Sequence, residues 1–444
     1  MVRLNECLGP RYMEGFRCIG SACEEDCCHG WHIIIDQQTH GRIKQALDGC
    51  KIDRERFRQS FKRNRKDNKN FSNYAALRLK ADGNCPFLES NGLCYIHRRF
   101  GEECLSLTCT TYPRRLNRVG GRWELSATLS CPETARRCLL QEDATELVAL
   151  DPERVNGQRL SIMSSLPANS DDPYLAYRDL VREVVLQMLA ARDYPLTSRL
   201  FFLAFFAQRI APFHHRKSRS FTTEALANAI DCFADPESLA ELHGRFQEMT
   251  PPIDLPMSII QVVLLSKLPS SGGSFRQLLA QVWATYVGPD DAGRVLDLEK
   301  TQDQTLVNCS ELAGKYLQRR AVLVERFGAR LDLYLENYCR NYWFGEGFEQ
   351  SANLLQHLQK LLVRLAVLRF LLISHPELDP LLAPSPSQPP SQPELQQLDQ
   401  LAVKVCYQFS RGLEHGAPFL AKIQQTLVDQ GMQEVAHLAL LIKV

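Results

Sequence analysis

Long uninterrupted apolar runs are missing from this 444-residue chain. Leu361 to Ser374 comes nearest, but Arg364 and Arg369 interrupt it, so it falls short of the ~18 apolar residues of a spanning helix. Met1 to Pro10 holds no apolar core of a secretory signal, which predicts a cytoplasmic protein. An excess of either charge is also missing. Lys and Arg number 52 and Asp and Glu 51, a net charge of +1. Bulk charge therefore makes no polyanion binder, and no nucleic-acid partner is expected. There is no fixed-period repeat and no strand leading into a glycine-rich phosphate turn. Ser270 to Ser274 precedes a helix but follows Pro269, and reads as a loop. Hydrophobic residues at 45% and charged residues at 23% exclude wholesale disorder, collagen and a coiled-coil rod. At about 150 residues per domain, the length predicts two or three domains.

Cysteine is abundant instead. Of 16 cysteines, 12 lie between Cys7 and Cys138. In a cytosolic chain disulfides seldom persist, so such clustering points to metal binding or redox chemistry. One group is Cys18, Cys23, Cys27 and Cys28. A second is Cys85, Cys94, Cys104 and Cys109, and Cys131 is a ninth. Thiolates are soft ligands that suit zinc or iron–sulfur centres. The spacings differ from the paired C-x2-4-C knuckles of structural zinc. Adjacent Cys27 and Cys28 are awkward on one ion, because neighbouring side chains diverge. A multi-iron cluster with several corners tolerates them better, so an iron–sulfur cluster leads, zinc follows, and an unliganded redox thiol group comes third. Cys7, Cys50, Cys138, Cys232, Cys309, Cys339 and Cys406 read as small buried hydrophobes.

The predicted fold is mainly α: a small cysteine-rich, metal-nucleated domain over residues 1–140, then a helical bundle or array over 141–444. The first segment has many turns and short β-branched runs such as Trp31 to Ile35, open to either strand or helix. Later, apolar residues recur with helical spacing over Tyr174 to Arg192, Leu196 to Ile210, Leu255 to Leu268, Phe275 to Tyr286, Ser310 to Tyr342 and Ser351 to Ser374. Thr223 opens a further helix toward Phe233, and Leu395 to Gly412 and Pro418 to Val444 form a last pair. Five prolines within residues 383–393 read as a surface excursion of the helical domain. The basic stretch 51–69 reads as a solvated amphipathic helix, with contact to a membrane surface or an acidic protein as the sharper reading. His29, His32 and His97 are ordinary histidines or metal ligands; Arg114 caps a turn or holds an anion. Glu336, Asn337, Tyr338, Asn341 and Tyr342 read as an exposed helix face, with a polar pocket as the other reading. Glu414 and His415 lie near a helix start and carry the same two readings.

The segment from Cys18 through Cys23, Cys27, Cys28, Gly30 and Trp31 resembles the signature of the flagellin lysine-N-methylase (FliB) family. So do Asn84-Cys85-Pro86-Phe87-Leu88, Gly92-Leu93-Cys94-Tyr95-Ile96, the run from Leu105 through Cys109 to Arg114, and Leu129-Ser130-Cys131-Pro132-Glu133. These segments belong to a wider group of cysteine-rich zinc- or iron-chelating domains. Trp31 and the long helical half favour the methylase branch, and Leu335 to Tyr342 also looks like it. The resemblance implies a cytoplasmic methyltransferase that uses S-adenosylmethionine to modify lysine ε-amines of flagellin. It also implies a [4Fe-4S] centre on the cysteine-rich motif. Cys18, Cys23, Cys27 and Cys28 are the first candidates for its ligands; Cys85, Cys94, Cys104, Cys109 and Cys131 serve the same centre or a second. The C-x3-C-x2-C loop of common radical S-adenosylmethionine enzymes is absent. The reading from another class is a non-enzymatic zinc- or iron-binding module with a helical docking domain.

Overall fold

The computed structural model describes residues 6–30, 32–64, 71–155, 159–166, 173–214, 223–231, 233, 235–250, 252–267, 273–288, 308–382, 389–414, 425, 427–429, 431–432 and 434–444. Trp31, Asp171, Cys232, His415, residues 65–69 of the basic stretch and residues 383–388 of the proline-rich run lie outside them. The chain divides into two compact units. One comprises 1–134 with 146–167, the other 135–145 with 168–444. The boundary read at residue 140 falls inside the segment 135–145. Helix dominates the molecule, as the periodicity predicts.

The first unit carries two small sheets. Strands β1 (Cys7–Pro10), β2 (Ile34–Ile35), β3 (Phe61–Arg63), β4 (Ala75–Leu77), β5 (Arg114–Val119), β6 (Arg122–Ala127), β7 (Leu147–Leu150) and β8 (Ile162–Leu166) are all short. Five of them form a mixed sheet in the order β7-β1-β6-β5-β8, and β2-β4-β3 form an antiparallel one. Strands β5 and β6 join through Gly120-Gly121, a pair suited to a two-residue hairpin turn. The second sheet sits in an apolar cluster with Ile35, Ile43, Leu47, Phe61 and Phe87, and Cys85 and Cys104 belong to the same cluster. Helix α1 (Gln37–Ala46) begins at Asp36, whose carboxylate accepts the Thr39 N–H at 2.8 Å. Helix α2 covers Lys51–Ser60, so the basic stretch starts as the predicted helix and then turns into β3. Helices α3 (Tyr95–Phe100) and α4 (Leu107–Thr111) carry the later cysteine motifs.

The second unit is helical among its described residues. Its helices include α5 (Pro132–Leu139, shared with the first unit), α6 (Pro173–Ala190), α7 (Leu196–Ile210), α8 (Thr223–Asp231), α9 (Pro236–Glu248), α10 (Asp254–Lys267), α11 (Gly273–Val287), α12 (Cys309–Glu346), α13 (Leu354–Ile373), α14 (Gln392–Phe409) and α15 (Val435–Lys443). Helix α12 starts at Asn308, which caps Ser310 and Glu311, and is buried almost all round from Leu333 to Gly345. It packs on α13, α10 and α6, while α7 packs on α15, α13 and α6. Among the described residues no helix is long and apolar enough to cross a membrane.

Candidate metal centre and helical core

Backbone pairing brings two distant cysteine segments together. Cys85 N–H donates to the Cys28 carbonyl at 2.7 Å, and Gly30 N–H donates to the Gly83 carbonyl at 3.0 Å. Between them His29 and Asn84 face each other as an antiparallel bridge, with their side chains 3.0 Å apart. Gly83 adopts φ +84°, and a Cβ there would meet the His29 ring at 2.9 Å. Glycine is needed at that turn on both counts. The next ten residues form a tight arm. Leu88 bridges Cys94, Glu89 N–H donates to the Leu93 carbonyl at 3.0 Å, and Tyr95 N–H donates to the Phe87 carbonyl at 2.8 Å. The Tyr95 hydroxyl then anchors α3 on α2 through Asp53 at 2.9 and 3.0 Å. Cys109 rides on α4, where Ser106 Oγ accepts its N–H at 3.0 Å.

The result is a thiol hub. The Cys28 sulfur lies in hydrogen-bond reach of Cys27, Cys85 and Cys94. Cys109 lies close enough to feel Cys94, Cys85 and Cys27. Donation toward Cys27, Cys85 and Cys94 holds the Cys28 proton far above the ordinary thiol range. The same S–H, aided by the backbone N–H groups of His97 and Ile96, lowers Cys94 to about 6 despite burial. Cys85 is also lowered, first by Cys28.

Cys18, Cys23 and Cys131 form a different neighbourhood. Gly20 N–H donates to Cys18 Sγ at 3.4 Å, and Cys23 N–H closes a tight turn on the Gly20 carbonyl at 3.1 Å. Cys131 precedes α5, and its sulfur accepts from the backbone N–H groups of Thr134 and Glu133. Cys131 and Cys18 both act on Cys23, and Cys18 acts on Cys131. Burial raises Cys23 and Cys131 above the ordinary thiol range, while Cys18 is exposed. Cys104 stands apart, buried beside Glu103, Arg42 and Arg159. Among the described residues, no group of three or more His, Cys, Asp or Glu side chains is already disposed around one ion. The donor chemistry still fits a soft metal, because both neighbourhoods offer sulfur.

Other cysteines sort as their surroundings dictate. Cys7, Cys138, Cys339 and Cys406 are buried, as read from sequence, and Cys309 is half-buried beside Ser258 and Gln261. Cys50 departs from that reading. It is exposed and caps α2, with its sulfur accepting the Asp53 N–H at 3.4 Å. Arg114 reaches the Thr110 carbonyl at 3.2 Å, a turn contact. His97 lies beside Cys94, and His32 is exposed.

In the helical unit the exposed-face reading of α12 is overturned. Glu336, Asn337, Tyr338, Asn341 and Tyr342 are all buried. Each of the first three has partners that replace water. Glu336, 1% exposed, pairs with Arg199 at 2.7 Å, Arg192 at 3.1 Å and Arg340 at 3.6 Å. Asn337 donates to the Leu139 and Gln141 carbonyls at 3.2 and 2.8 Å and accepts the Thr145 hydroxyl at 2.7 Å. Tyr338 donates to the Glu414 carboxylate at 2.6 Å, and Arg364 lies 3.9 Å from the same carboxylate oxygen. Sequence reasoning missed this network because Arg199 on α7, Arg192 from the segment between α6 and α7, and Arg364 on α13 lie far from these residues in the chain; Arg340 alone comes from α12 itself. A cleft of about 720 Å³ opens beside Glu336 between α7 and α12, lined also by Arg199, Arg320, Asp332 and Arg369. Next to Tyr342 and Trp343 sits His357, fully buried and pushed down to about 3 by desolvation.

The first unit gathers neighbouring cysteines, and the helical unit is built on a buried charge network. Residues 182–441 match the family model for the FliB lysine N-methylase C-terminal domain. The flagellar biosynthetic protein FliU of Salmonella muenchen is 32% identical over 144 residues, 31% of this chain and 79% of that relative. Lysine-N-methylases of Salmonella typhimurium and Salmonella choleraesuis are each 32% identical over 160 and 165 residues, 36% of this chain. Those matches span 38% of each methylase. No solved structure matches the chain. The chain belongs to the FliB lysine N-methylase family.

Proposed function

We propose that this protein transfers methyl groups from S-adenosylmethionine to lysine ε-amines of flagellin, and that its N-terminal cysteines hold an iron–sulfur centre, with zinc as the other occupant. The observation that carries the reading is the family match over residues 182–441. The names of two relatives support lysine methylation, and the name of a third supports a flagellar setting. When bound, an iron–sulfur centre supplies redox-active iron and, with fewer than four cysteines, an open coordination position. The protein's own tasks follow from the substrate. A free lysine amine has a pKa of about 10.4 and must shed its proton before it attacks a methyl group. A desolvated surface or a nearby base lowers that barrier. In-line transfer then requires nitrogen, methyl carbon and sulfur to be aligned.

The test is methyl transfer from labelled S-adenosylmethionine to purified flagellin by the full chain, purified without oxygen and assayed for iron, zinc and sulfide. Label on flagellin lysines is the expected outcome. Metal-loaded protein that binds flagellin but neither binds nor consumes S-adenosylmethionine would establish the docking-module reading instead.

A further inference from the structure

We infer that the cleft beside Glu336 binds the amino-acid end of a small organic ligand, with Arg369 meeting its carboxylate and Asp332 its ammonium. The cleft lies wholly within the helical unit. Its walls are the turn from Arg192 to Leu196 leading into α7, the part of α12 between Arg320 and Glu336, and the end of α13 from Arg369 to Ile373. At about 720 Å³ it falls within the range of small-molecule sites, roughly 300–1,000 Å³.

The cleft carries positive charge that the protein does not balance. Arg369 is only 6% exposed. Its Nη2 donates to the Leu441 and Ile442 carbonyls at 3.1 and 2.9 Å, while its Nε is buried with no hydrogen-bond partner among the described residues. Arg320 donates to the Lys443 carbonyl at 2.7 Å. These carbonyls at the end of α15 hold both guanidinium groups but supply partial charge only. Among the described residues, neither arginine reaches a carboxylate at ion-pair distance. Burial pulls Arg369 down to about 10, as it does any cation short of a counter-ion. A buried charge without a partner is costly, so an anion brought by a ligand stabilises it. Arg199 adds a second donor. Its Nη1 serves the Leu189 carbonyl and Glu336, and its Nε is buried and likewise unpartnered. Both guanidinium groups lie near enough to the buried Cys339 thiol to act on its charge.

Asp332 selects the kind of anion. It lines the same cleft, accepts the Leu196 N–H at 2.9 Å through one carboxylate oxygen, and lies near enough to act on Arg369. A carboxylate in that place repels a phosphate dianion and suits a ligand that carries both signs of charge. Leu331, Leu335, Leu372 and Ile373 make the remaining wall apolar, which fits the body of such a ligand. An α-amino acid holds a carboxylate and an ammonium on one carbon. A free apolar amino acid presents that end, and so does the S-adenosylmethionine of the function proposed above.

The test is isothermal titration calorimetry on the full chain with four probes: methionine, S-adenosylhomocysteine (the methyl donor without its methyl), adenosine and inorganic phosphate. Methionine or S-adenosylhomocysteine is expected to bind, and adenosine and phosphate are not. Binding of S-adenosylhomocysteine assigns the cleft to the methyl donor. Binding of methionine alone assigns it to a free amino acid, and the donor then has another pocket. Arg369→Gln and Asp332→Asn are each expected to weaken binding about 10-fold or more, the effect of losing a charged hydrogen bond. Near-UV circular dichroism shows which variants keep the fold. Asp332→Asn, nearly isosteric and at a half-buried position, decides the matter where Arg369→Gln unfolds. S-adenosylhomocysteine bound equally well by wild type and folded variants would overturn the cleft as its site and leave the methyl-transfer reading standing. No binding of methionine or S-adenosylhomocysteine, or adenosine or phosphate bound as tightly as either, would overturn amino-acid recognition here.

Discussion

Glu336 shows how a single residue can be unreadable from its own neighbourhood. On a helical wheel it belongs to a polar patch, and polar patches usually face water. Here it is fully enclosed and meets three guanidinium groups from Arg192, Arg199 and Arg340. The Arg199 side chain is only 2% exposed, so removing the carboxylate strands a buried charge. Glu336→Gln is therefore expected to lower stability by about 3–5 kcal/mol, the range for breaking one partner of a buried pair. Urea denaturation of variant and wild type measures it; a change below about 1 kcal/mol would mean the arginines find other partners. His357 makes a second residue-scale prediction. Its folded pKa of about 3 lies below the ordinary 6.5, so the unfolded chain binds the extra proton. Stability contributed by keeping it neutral is complete above about pH 6.5 and declines as pH falls toward 3. His357→Gln should flatten that part of the stability–pH curve, read from denaturation midpoints at stepped pH.

At the scale of elements, legibility followed length and period. Helix α7 occupies Leu196–Ile210, the span its apolar spacing predicts. Helices α10, α11, α12 and α13 fall within a few residues of their predicted spans. Helix α9 (Pro236–Glu248) was not read, because it buries little beyond Phe246 and its apolar stripe is thin. Of the strands, the run Trp31 to Ile35, which holds β2, was left open between strand and helix, and the five-stranded sheet was not read, since elements of two to six residues carry too few periods to tell. The cysteines were legible as soft donors, but not as two neighbourhoods. That division depends on the pairing of residues 28–30 with 83–85, more than fifty positions away. The pairing has a glycine requirement that can be tested. Gly83→Ala combines a left-handed backbone with a 2.9 Å contact on His29, whereas Gly92→Ala has the left-handed backbone, φ +78°, and open space. Both should lose about 1–2 kcal/mol to backbone strain. Only Gly83→Ala should also displace the Cys28–Cys85 register and, on the proposed metal reading, reduce metal per chain. Equal metal content in the two variants would show that the hub does not depend on this turn.

At the scale of the whole molecule, the two units draw their stability from different sources. The helical unit buries large side chains such as Trp283, Trp343, Tyr316 and Phe370 around helices that cap and pack in the ordinary way. The first unit has short strands, a smaller apolar cluster and many turns, and several of its interior positions are cysteines. On the proposed metal reading, a bound metal would supply this unit what it lacks in core, because binding free energy that exists only in the folded state adds to folding. The gain should be local. Amide hydrogen exchange compared between metal-loaded and metal-stripped full chain should slow at residues 18–30 and 83–96 on loading. Rates on α7, α12 and α13 should stay unchanged, since their protection comes from apolar packing. Uniform slowing across both units would mean that the metal stabilises the chain as one cooperative body. No slowing at 18–30 would mean that the Cys18–Cys23 turn takes no part in holding it.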